Sequence, residues 1–176
     1  MNSKDLVLTA LMAAVISVLA PLAIPLGSGI PISLATFAVM LAGAILGEKY
    51  GTLSTLIYLI LGSIGIPVFA NYAAGFQCVI GITGGYLVGY LPLAWFTGYF
   101  YRKDPTLKGL VLGMVIGTFV LYLFGTIWFC IFAKMEFMAA LAVCVIPFLP
   151  GDIIKMVAVA LITPTLKKAI ANRAGV

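Results

Sequence analysis

The chain has 176 residues, 64% of them hydrophobic and 9% charged, with a formal net charge of +5. Its mean hydropathy is +1.23. A soluble domain averages about 25% charged and about 45–50% apolar residues, so water is excluded as the solvent for most of this surface. The composition predicts an integral membrane protein, one membrane-embedded domain over residues 1–176 with no room for a soluble nucleotide-binding or catalytic domain.

Backbone in lipid must satisfy its own hydrogen bonds, which leaves helices or closed barrels. The apolar runs are long and do not alternate, so they predict helices, each span needing about 20 residues. Six follow in chain order. The first, from about Leu6 to Leu22, lies behind Lys4 like a signal peptide, but its apolar run exceeds the roughly 7–15 residues of a signal core and reads as an uncleaved span. The second (Ser33 to Gly47) and third (Thr52 to Ile66) are short. The fourth runs from Gly84 to Tyr101 and the fifth from Leu107 to Ala133. The sixth begins near Pro150 and ends near Ala171. Between Glu136 and Pro147 only about 11 apolar residues are available, too few at about 1.5 Å each to cross a bilayer. The stretch Phe137 to Phe148 is expected to be a short helix at the outer surface. The alternative is one long helix from Phe137 to Ala171, broken around Pro147–Gly151.

Lys and Arg concentrate in cytoplasmic loops. With the N-terminus inside, Lys4, Lys49, Arg102, Lys103, Lys108, Lys167, Lys168 and Arg173 all fall inside, and Lys134 falls outside. Both termini are therefore expected in the cytoplasm. The positive charge reflects this bias and an attraction to anionic lipid, and needs no nucleic-acid partner. Two long uncharged loops, AIPLGSGIPI and PVFANYAAGFQCVIGITGG, fall outside, and loops of that length are often functional.

The stretch PFLPGDIIK (residues 147–155) carries the only charges between Glu136 and Lys167, namely Asp152 and Lys155. Pro and an acid suit a first helical turn, so Asp152 could be a capping residue. Lys155 lies three positions on and shares its helix face. A lysine inside a span costs roughly 2.5–3.5 kcal/mol at the centre, less near an end. It could snorkel to the interface or pair inertly with Asp152. An ionisable pair within a span otherwise marks a substrate or ion path. A cationic donor and an anionic acceptor side by side suit a small polar ligand with an acidic group and N–H donors. Phe37, Phe69, Asn71, Tyr72, Tyr86 and Tyr90 are candidates to complete the pocket.

Glycines at 81, 84, 85 and 89 in GITGGYLVGY allow close helix contact, but the stretch lacks the lysine and framework of a phosphate loop, so no ATP site is expected. Ala10 and Ala14, one turn apart on the first helix, could let another helix approach, from this chain or from a partner membrane protein. Cys78, Cys130 and Cys144 read as small apolar residues. Without histidine a metal or haem site is not expected, no nucleophile–base constellation is available, and the chain does not read as an enzyme.

Four stretches in order, PISLATFAVMLAGAILG, GSIGIPVFANYAAG, GITGGYLVGY and PFLPGDIIK, resemble the BioY family, the biotin-binding S components of energy-coupling factor (ECF) vitamin transporters. Ala35 and Ile82 depart from the residues the family often carries there. The resemblance covers nearly the whole chain. It implies a six-helix, all-α membrane fold with a vitamin site open to the outside. Asp152, Lys155 and Asn71 are implied to contact biotin, with Tyr86, Phe37 and Phe69 around the ring. It also implies that Ala10 and Ala14 face a transmembrane T component, coupled to two cytoplasmic ATPase subunits. The chain is then a multi-pass cell-membrane protein that captures biotin outside and delivers it inward with that partner module, without a cofactor. Rival expectations are an S component for another vitamin and a solitary proton-coupled biotin transporter with Asp152 as proton carrier. Lys155 could bind either the ureido carbonyl or the carboxylate of biotin.

Overall fold

The computed structural model describes residues 2–25 and 30–173. Residues 26–29, inside the first of the two long loops, lie outside the described residues. The first helix, α1 (Ser3–Leu19), starts where the Asn2 N–H donates to the Asp5 carboxylate at 3.3 Å, tying the chain into its first turn. Two short strands follow, β1 (Ala23–Ile24) and β2 (Ile32–Ser33), paired antiparallel with Ala23 opposite Ser33. This ribbon corrects the all-α expectation. Pro21, Pro25 and Pro31 bar a helix here, and cross-strand pairing satisfies backbone groups that a helix would otherwise hold.

α2 (Ala35–Ser63) is two helical arms joined at Gly47, whose φ of 76° and ψ of 179° are not helical. A Cβ on Gly51 would fall 2.7 Å from Gly43 Cα and 2.8 Å from Ala42 O. In a straight helix residues eight apart are about 12 Å apart, so the chain doubles back at Gly47, a conformation that favours glycine. The two arms correspond to the second and third expected segments. A 3-10 turn (Ala70–Tyr72) and the short α3 (Phe76–Ile80) occupy the second long loop, and α4 (Gly84–Lys103) and α5 (Leu107–Ala133) follow.

α4 lies between the first arm of α2 and α5. Small residues permit this: Gly43 backs onto the Ala94 carbonyl, and a Cβ on Gly113 would fall 2.8 Å from Phe96 O and 3.0 Å from Thr97 Cα. Gly109, Gly113 and Gly117 repeat at one-turn spacing along α5, the small-residue pattern of close membrane-helix contact. Gly113→Ala is expected to force the helices apart and cost about 1–3 kcal/mol, read as a lower melting temperature of the purified protein in detergent.

α6 (Phe137–Cys144) is separate, and α7 (Leu149–Arg173) leaves it at 50°. The break falls at residues 145–148, before the Pro150–Gly151 pair, because Pro150 fits within the first turn of α7. α6 is not a purely surface helix: Ala140 and Cys144 are buried. Among the described helices α5 alone is long and apolar enough by itself to cross a membrane, and α6 with α7 reach that length as a bent pair. α1 has 17 residues and α2 is divided at Gly47. The Gly47 turn packs against Gly98, and beside it Arg102 pairs with Glu48 at 2.8 Å. Lys167 Nζ sits 4.1 Å from the Tyr101 ring centre. These basic groups gather at one end of the bundle, and a cavity opens at the other.

Candidate functional site

The cavity has a volume of about 280 Å³. Its walls come from the start of both α2 and α4, the middle of α5, the start of α7 and the 69–73 turn. Tyr58 and Phe69 meet edge to face, with centres 5.6 Å apart, and form an apolar floor together with Leu87 and Leu121. Tyr86 lines the wall and donates to the Cys144 carbonyl at 3.2 Å, which fixes its ring against α6. Tyr90 lines the wall beside it. Cys78, in α3, also faces the cavity; burial raises its thiol above the usual range, so it stays a neutral wall residue.

Asp152 and Lys155 lie at the polar end. Asp152 is 3% exposed and Lys155 8%. Lys155 Nζ donates to Asp152 Oδ1 at 2.9 Å and to Thr36 Oγ1 at 3.0 Å. Thr36 Oγ1 in turn donates to the same Oδ1 at 3.2 Å, and the Tyr122 hydroxyl donates to Oδ2 at 2.6 Å. α7 is thereby tied to α2 and α5. Lys155 does not snorkel, and the Asp152 carboxylate is held by these side chains rather than by a helix-end N–H. The pair also lines the cavity.

The bonding capacity can be counted. An ammonium has three donors, and each carboxylate oxygen accepts about two hydrogen bonds. Two Lys155 donors are used and one remains. Oδ1 is full, while Oδ2 holds the Tyr122 bond and has one lone pair left. The site therefore offers one cationic donor and one anionic acceptor side by side.

Of the sequence candidates, Asp152, Lys155, Asn71, Phe69, Tyr86 and Tyr90 all border the cavity. Asn71 and Tyr72 both adopt left-handed φ, 56° and 59°, strain of the kind that clusters at ligand sites. Two candidates do not line this cavity. Phe37 follows Thr36 in α2, and the 100° helical step turns it away to pack, half-buried, against the core. Tyr72 is 65% exposed and faces a second cavity. Thr36, Tyr122 and Tyr58 complete the site and were not among the candidates. Ala10 and Ala14 are exposed on α1, so packing within this chain does not account for them. Among the described residues no cluster of His, Cys, Asp and Glu could hold a metal ion.

A greasy helical bundle that encloses a small cavity around a buried ion pair defines a membrane protein built to bind a small polar molecule. The BioY family model matches residues 1–172. A biotin transporter BioY from Thermotoga maritima is 37% identical over 165 residues, covering 94% of this chain and 96% of that protein. A probable biotin transporter BioY from Pyrococcus horikoshii is 38% identical over 167 residues, covering 95% and 98%. The crystal structure of an S component for biotin from an ECF-type ABC transporter superposes with a TM-score of 0.88 at 30% identity, covering 96% of this chain and 95% of that one. The chain belongs to the BioY family, a family of transport proteins and not of enzymes.

Proposed function

We propose that this chain is the biotin-binding S component of an ECF-type importer. It sits in the cell membrane as a multi-pass protein with both termini in the cytoplasm, takes biotin from outside, and passes it inward with a T component and two ATPase subunits. The gathering of basic residues at the end away from the cavity supports that orientation. The names of the relatives and the similar structure support the ligand.

The observation that carries the reading is the spare donor of Lys155 beside the spare lone pair of Asp152. The ureido edge of biotin offers an N–H next to a carbonyl and satisfies both. A carboxylate in that place would satisfy Lys155 but set a second anion against Asp152, and like charges sharing one site disfavour each other. The ureido head therefore belongs at the ion pair, with the sulfur-containing ring over Tyr58, Phe69 and Leu121. Hydrogen bonds to charged groups in a dry site are roughly twice as strong as neutral ones.

The test uses the purified chain in detergent with radiolabelled biotin. Biotin is expected to bind, and the diamine formed by opening the ureido ring, with the tail unchanged, is expected to compete at least about 30-fold more weakly. Equal competition by the diamine would remove the head assignment.

A further inference from the structure

The second cavity, of about 590 Å³, is more open than the first and shares Ser33, Asn71 and Lys155 with it. Its other walls are the mainly apolar residues that follow α1 and form the ribbon and its flanks, among them Leu22, Ile24, Ile32 and Leu34, together with Tyr72. Lys155 is the only cation among the described residues that line it, and two of its three donors are already taken by Asp152 and Thr36. Asn71 stands at the boundary, and among the described residues its carboxamide has no hydrogen-bond partner. A carboxamide both donates and accepts, so it can hydrogen-bond to a carboxylate, an ester or an amide.

We infer that this second cavity is the subsite for the far end of the ligand, and that it does not require a free carboxylate there. The chain then also binds tail-capped derivatives, amides and esters of the ureido-ring acid, as a ligand class of its own. This rests on the proposed reading that the ureido head occupies the ion pair. The ligand's methylene tail finds apolar walls running out of the first cavity, and its terminal group reaches a wide, mostly uncharged space. A site built around a tail carboxylate would place a second cation there.

The test is competition against radiolabelled biotin on the purified chain, with biotin methylamide and with biotin joined through an amide to the lysine side chain. Both are expected to bind within about tenfold of biotin. Leu22→Trp, which narrows the second cavity without touching the ion pair, is expected to weaken the lysyl amide at least about tenfold more than biotin. If biotin binds and both amides are more than about tenfold weaker, the inference is overturned and the proposed function stands. If Leu22→Trp affects biotin and the lysyl amide alike, or neither, the tail does not run through this cavity. If biotin itself does not bind, the proposed function falls and the inference with it.

Discussion

Lys155→Ala is expected to remove biotin binding. The substitution deletes the one donor left for ligand and strands the Asp152 carboxylate with only the Thr36 and Tyr122 hydroxyls. Truncating one partner of a buried, hydrogen-bonded charge pair costs about 2–5 kcal/mol in binding, a loss of roughly 30-fold to several thousand-fold. Asp152→Asn keeps the shape and removes the charge, and its loss should fall in the same range because Lys155 is left buried without a counterion. Equilibrium dialysis with radiolabelled biotin reads both, alongside a melting curve to separate lost binding from lost folding. Wild-type affinity in either variant would take that residue out of the site.

Ala14→Trp is expected to do the reverse: abolish transport and spare binding. α1 presents Val7, Ala10, Leu11, Ala14 and Val18 outward, while Met12, Ala13 and Ile16 face the core. A small, apolar exposed face of this kind allows another membrane helix to come close, and the proposed T component is the occupant. A tryptophan at that position keeps the helices apart without entering the cavity. ATP-dependent uptake by cells carrying the partner subunits should drop more than about tenfold, whereas biotin affinity of the purified variant should stay within about twofold. Full uptake in the variant would move the docking face elsewhere.

The ion pair was legible in the sequence because a charge inside an apolar stretch has few bland explanations. Asp152 and Lys155 stood out as the two charges among the 30 residues between Glu136 and Lys167, the other 28 being neutral. The hydroxyls that orient the pair did not stand out. Threonine and tyrosine occur throughout these helices, many bonding only to their own backbone, as Thr55 does to Gly51 and Thr163 to Val159. Which one crosses to another helix depends on rotation about the axis, and an error of one residue swings the side chain by about 100°. That is the distance between Phe37, the candidate, and Thr36, the residue in place. The turn at Gly47 was legible as two short apolar runs flanking Glu48 and Lys49. The strand ribbon was not, since two residues per strand are too few for any alternation to show.

One feature of α7 bears on how the protein is made. Asp152 and Lys155 are three residues apart on a single helix and pair directly at 2.9 Å. Because both charges lie on α7, they enter the lipid together as a self-neutralised unit. No earlier helix has to wait in the bilayer with an unmatched ion. Thr36 and Tyr122 stand in α2 and α5, earlier in the chain, so the arriving pair finds its hydroxyl partners in place. The same pairing that eases α7 into the membrane thereby completes the polar end of the cavity.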